Sequence, residues 1–245
     1  MRVLSKIRNL LLGQGKMKKY MFYAIGEIIL VVVGILIALQ VNNWNEDRKM
    51  KTVEVKTLQQ LLASLELEKD DLDLNNGSIS GSIQSIDVVI KHLENELPYH
   101  DSLNFHFGNS NKMMGFVVNP AVYENLKFTG LDLISNEDLR NKIVSHYDYK
   151  MPYLKQIEEG FVQPLHAINF RPWMIENFEY RGVFAPAKPL NYSRLFKDEQ
   201  YLGLLYATRE AISFQLGRTR SLLKSAVELK AMIEEELETR GIHVQ

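Results

Sequence analysis

The sequence predicts an all-α protein: a single N-terminal transmembrane helix that continues into an antiparallel helical bundle. Three observations carry this. Residues 20–39 form an apolar run with one ionisable residue, Glu27, and no proline. Beyond it, apolar residues recur at three- and four-residue steps, the period of a helix. No stretch alternates with the two-residue period of a half-buried strand.

Residues 20–42 are the membrane span, because about 20 apolar residues cover the hydrocarbon of a bilayer. The alternative, a buried core helix, is usually shorter and keeps a polar side. Tyr20, Tyr23 and Trp44 sit where interfacial aromatics are expected. Residues 1–19 form a basic leader with Arg2, Lys6, Arg8, Lys16, Lys18 and Lys19 and no acid. The other flank, residues 42–56, has four basic residues mixed with Glu46, Asp47 and Glu54. Orientation follows the Lys/Arg excess, which puts the N-terminus in the cytoplasm and everything after Trp44 across the membrane. No small-x-small cleavage site follows the apolar core, so the span reads as an uncleaved signal anchor. Val3, Leu4, Ile7, Leu10 and Leu11 lie at helical spacing and suit a short amphipathic helix on the inner leaflet; a frayed tail is the plainer reading.

The extramembrane region, residues 43–245, is expected to be one helical domain. The helical pattern runs on through Val55, Leu58, Leu61, Leu62, Leu65 and Leu72, giving a long helix over about 43–75. Asn75, Asn76 and Gly77 are expected to end it, with Gly77 as the left-handed cap. Ile79, Ile83, Ile86, Ile90, Leu93 and Leu97 then form a heptad-type seam over 79–97, read as a second helix folding back on the first. Residues 98–118 read as a loop with short elements. Shorter helices are expected over about 119–178: one opened by Asn119-Pro120 and closed by Gly130, and one opened by a Ser135/Asp138 capping box. Further helical sequence follows, broken near Pro164 and Pro172. Residues 182–189 are a loop. Asp198 opens the last long helix, 198–240, which packs antiparallel to the first.

Charge and composition narrow the function classes. The chain carries a formal net charge of -1, of which the first 19 residues contribute +6. The remainder is acidic, which argues against a nucleic-acid partner. The chain has no cysteine, so a disulfide framework, a thiolate metal site and a cysteine nucleophile are all excluded.

The run YAIGEIILVVVGILIALQVNNWNE, the leader ending Lys18-Lys19-Tyr20, and AVYENLKFTGLDLISNEDLRNKIVSHYD at 121–148 together resemble a family of membrane proteins from Bacteroidota, known only as a domain of unknown function. The resemblance implies an inner-membrane protein of a Gram-negative envelope with its helical domain in the periplasm. It brings no activity, cofactor or catalytic residue.

Candidate chemistry is sparse. Glu27 is a carboxylate inside the apolar run, where ionisable groups are costly and functional by default. Three readings stay open: a structural residue near the headgroups beside Lys18 or Lys19, a hydrogen bond to a partner helix, and a proton carrier in an ion-driven complex. Gly34 and Ala38, with Gly26 eight residues before Gly34, permit close approach of a second helix, in a homo-oligomer or with another protein. The aromatic-rich region holds Phe170, Arg171, Trp173, Phe178 and Arg181, which suit either a pocket lining or the packed end of a bundle. His100, Asp101 and His106 share a loop, but no histidine falls in a recognised metal spacing. With no nucleophile motif and no phosphate loop, the expectation is a non-enzymatic protein without catalytic residues, metal or cofactor. It would act as a scaffold, a sensor-like input or an accessory subunit. The alternatives are a subunit of an ion-driven machine using Glu27 and a periplasmic ligand-binding domain.

Overall fold

The computed structural model describes residues 17–117, 119–182 and 184–243. The short amphipathic helix expected around Val3 to Leu11 lies outside the described residues. The chain divides into two units at Val53/Glu54. In the first unit, the side chains from Met21 to Val41 are almost all exposed, apolar ones included. An 18-residue window here has a mean hydropathy of 2.6 and none of it is buried. Among the described residues this is the one helix long and apolar enough to cross a membrane.

That helix, α1, runs from Met17 to Glu94 without interruption. The expected stop at Asn75-Asn76-Gly77, and the hairpin of 43–75 with 79–97, do not form. Gly77 is not among the residues with positive φ, and Asn75 is buried, its amide donating to Asp71 Oδ2 at 2.9 Å. The physical reason is the seam. Leu58, Leu61, Leu65, Glu68, Leu72, Asn75, Ile79, Ser82, Ile86, Val89 and Leu93 are all buried, and their spacing alternates three and four throughout. A helix that keeps one face on the core across the NNG stretch gains burial on both sides of it. The cost of a glycine in a helix interior, about 1 kcal/mol, is small beside that.

The second unit is built on three helical stretches of matched length. Residues 54–94 of α1, a helix over 137–177 (α4), and α6 (Glu199–Thr239, 41 residues) each span roughly 60 Å. Their side-chain pairs fix the directions. Glu54–Arg240, Glu66–Lys230, Asp87–Arg209 and Glu94–Tyr206 run in opposite order, so α6 is antiparallel to α1. Asn136–Glu236, Lys142–Glu228 and Glu158–Gln215 make α6 antiparallel to α4 as well. Glu54–Ser135 and Glu68–His146 run in the same order, so α1 and α4 are parallel. The return between them carries α2 (Leu103–Ser110), α3 (Ala121–Thr129) and a 3₁₀ turn, Leu131–Leu133. A two-residue antiparallel pair, β1 (Phe178–Glu179) with β2 (Lys188–Pro189), and the short α5 (Tyr192–Leu195) link α4 to α6.

The helical sequence here was expected to break near Pro164 and Pro172, and it does not. It changes pitch instead. Three π-helical stretches, Ser145–Lys150, Glu158–Val162 and Leu165–Phe170, each end two residues before Pro152, Pro164 or Pro172. A proline lacks the N–H for its helical bond and crowds the carbonyl four residues back. A widened turn absorbs the extra space without ending the helix. The capping of α4 also differs from expectation: Asn136, not Ser135, is the N-cap, its Oδ1 accepting from Leu139 N at 3.1 Å. Ser135 is taken by Glu54, to which it donates both its N–H and its hydroxyl. Gly130 closes α3 with φ +113°, and Asp198 caps α6 by accepting from Tyr201 N at 2.8 Å, both in line with the sequence.

The core forms two apolar clusters along the bundle. One joins Leu58–Leu72 of α1 to Tyr123, Leu139, Leu154 and Leu222–Leu237. The other joins Ile79–Leu93 to Phe107, Phe170, Trp173, Phe178 and Tyr201–Leu216.

Candidate functional site

The two clusters belong to successive lengths of the same three helices, and a polar cleft lies where one gives way to the other. It encloses about 280 Å³ and is lined by Met113, Met114, Glu158, His166, Arg171 and Gln215, among others. Most of the lining from α4 falls within or beside the two π-helical stretches that flank Pro164. Widened turns of this kind recur at functional sites because they turn side chains and carbonyls out of the regular ladder.

Glu158 is 5 % exposed. Its Oε1 accepts from Gln215 Nε2 at 2.8 Å and its Oε2 from Phe116 N at 3.2 Å. Burial pushes its carboxyl above the ordinary range, Glu159 and Asp71 add to the push, and the two hydrogen bonds hold it back. Among the described residues no cation lies within ion-pair distance of it. His166 is 3 % exposed, and its Nε2 meets both the carbonyl and the side-chain oxygen of Asn111 at 2.9 Å. Both partners accept, so Nε2 carries the proton. Burial lowers the pKa of His166, against the pull of the Asn111 carbonyl, and the charge of Arg171 lowers it further, so the ring is neutral. Arg171 forms no hydrogen bond or ion pair within the described residues, and its Nε is buried without a partner.

The aromatic region resolves differently from a pocket. Phe170, Trp173 and Phe178 are buried, and Trp173 stacks on Tyr201 with ring centroids 4.0 Å apart and planes 7° from parallel. Large rings at the end of a bundle gain most by packing on one another. Of the five residues named from sequence, Arg171 alone lines the cleft, and Arg181 is exposed. The cleft itself had no sequence signature: Glu158 and Arg171 are ordinary charged residues in a helical pattern. The three prolines of α4 were the nearest hint.

Elsewhere, Glu27 and Ala38 are exposed on the apolar stretch, and a β-carbon added at Gly26 or Gly34 meets nothing within 4 Å. His100 Nδ1 pairs with Ser102 Oγ at 2.9 Å, whereas His106 Nδ1 pairs with Ser85 Oγ at 3.2 Å. Among the described residues no group of three His, Asp or Glu side chains is placed to hold a metal ion. Two buried polar pairs stitch the helices. His146 Nε2 donates to Glu68 Oε1 at 2.7 Å, while Glu68 Oε2 and His146 Nδ1 have no partner among the described residues. Glu54, 3 % exposed, is held by both terminal nitrogens of Arg240.

Fold and cleft together define a mostly helical protein with one N-terminal helix fit to span a membrane. Residues 27–86 match a family of unknown function, DUF6090. The match takes in most of the apolar stretch, from Glu27 onward, and much of the α1 seam; residues 121–148, which share the resemblance, lie outside it. No curated protein and no solved structure matches the chain.

Proposed function

We propose that the chain is a single-pass inner-membrane protein of a Gram-negative envelope. Its N-terminus lies in the cytoplasm and its helical domain in the periplasm. The domain acts without catalysis, as a scaffold, a sensor-like input or an accessory subunit of an envelope complex. The observation that carries this is the uncovered run from Met21 to Val41, apolar on every side and followed in the same helix by a packed, amphipathic stretch. The basic leader supplies the orientation. Because the chain has no cysteine, topology is directly testable. Ser5→Cys and Ser221→Cys are treated in spheroplasts with a membrane-impermeant maleimide. Labelling of the second alone supports the reading, and labelling of the first alone reverses it. Retention in the pellet after alkaline carbonate tests the anchor itself.

A second reading makes the chain a subunit of an ion-driven machine, and Glu27 is what favours it. It is an exposed carboxylate within the apolar stretch and has no hydrogen-bond partner among the described residues. A polytopic partner that co-purifies in fixed ratio, and is lost with Glu27→Gln, supports this reading. Unchanged function in Glu27→Gln removes it.

A further inference from the structure

We propose that the α4–α6 cleft binds a short peptide-like zwitterion, with its ammonium group on Glu158 and its carboxylate on Arg171. Two charges are left unmatched in one cavity. Glu158 is buried and both its oxygens are held only by neutral donors, Gln215 and the Phe116 N–H. A buried carboxylate in that state is costly and is relieved by a cation. Arg171 lines the same cleft with a buried, unpartnered Nε, and a guanidinium presents a fork suited to a carboxylate. The two do not satisfy each other. They stand thirteen positions apart on α4, roughly 20 Å along the axis and somewhat less through the π turns.

A ligand with opposite charges at its two ends meets both needs at once. A tripeptide or tetrapeptide extends roughly 10–14 Å, of the order of the axial span once the π turns have shortened it. The walls between are apolar and adaptable: Met113, Met114, Val162 and Ala167. Methionine suits a surface that accepts varied small side chains. A volume of about 280 Å³ sits at the small end of ligand sites, which favours a short ligand over a drug-sized one. This inference rests on the cleft alone, so it stands or falls independently of the membrane orientation.

The test uses the full chain in detergent micelles, titrated calorimetrically with L-alanine peptides of two to five residues. The tightest of these is then compared with its N-acetylated and C-amidated forms, so that the protein itself is unaltered. The expected result is binding that peaks at three or four residues and weakens at least about tenfold on capping either end. Glu158→Gln is expected to erase the difference made by N-acetylation alone, and Arg171→Gln the difference made by C-amidation alone. Absence of binding by every uncapped peptide at millimolar concentration overturns the proposal, and so does affinity indifferent to both caps.

Discussion

Arg240→Met should unfasten the end of the bundle at which α1, α4 and α6 meet. Glu54, almost fully buried, accepts from Arg240 Nη1 at 2.7 Å, Arg240 Nη2 at 2.9 Å, Ser135 N at 2.7 Å and Ser135 Oγ at 2.8 Å. Removing the guanidinium deletes two charge-assisted bonds and strands a buried carboxylate on two neutral donors. Breaking a buried pair from one side costs about 3–5 kcal/mol. Arg240 is 21 % exposed, so water replaces part of what is lost, and about 2–3 kcal/mol is the better figure. For a domain of this size that lowers Tm by roughly 4–12 °C. The effect carries a pH signature. Burial raises the Glu54 carboxyl, but Arg240 and Ser135 outweigh it and hold it below its ordinary value. A depressed carboxylate contributes stability that is present above the unfolded value and lost as pH falls through the folded one. The gap between wild type and Arg240→Met should therefore be full at pH 7 and shrink below about pH 4.5. Urea melts of the full chain in detergent, followed by fluorescence of Trp173 in its stack, measure both. A gap equally wide at pH 7 and pH 3 refutes the reasoning, and so does a negligible loss at pH 7.

Other substitutions probe separate features. Gly77→Ala should raise stability by about 0.5–1 kcal/mol, because the position is helical and an added β-carbon meets open space; a left-handed cap would instead be destabilised, so a drop in Tm contradicts the continuous helix. Gly108→Ala should cost at least about 1–3 kcal/mol, since its β-carbon would fall on the carbonyl oxygen of Ala185; an unchanged urea midpoint contradicts that packing. His146→Leu should cost about 3–5 kcal/mol by leaving Glu68 buried and unpaired, and adding Glu68→Leu should recover most of it; a double-mutant cycle with no coupling refutes the pair.

What was legible in the sequence was what short-range chemistry dictates. Asp198 opens α6 and Gly130 closes α3 because capping needs only the residue itself and the next three. What misled was polarity inside a seam. Glu68, Asn75 and Ser82 occupy core positions of α1, and it is at Asn75, beside Asn76 and Gly77, that a seam read from apolar residues alone splits in two. Glu68 is acceptable there because His146, distant in sequence, meets it. Asn75 is acceptable because Asp71 accepts from its amide. Likewise, Pro164 and Pro172 read as breaks because a regular α-helix cannot hold them, whereas packing against α6 keeps the chain helical and the turns widen.

By itself the sequence determined the apolar helix, the basic leader, the all-helical character and the boundaries of α6, since each follows from local composition and hydrophobic period. The tertiary structure decided that α1 runs unbroken to Glu94, that α4 runs parallel to it with α6 antiparallel to both, and that Glu158 and Arg171 share one cleft. Those outcomes turn on which buried polar group finds a partner across the bundle, and partners far apart in sequence leave no periodic trace in it.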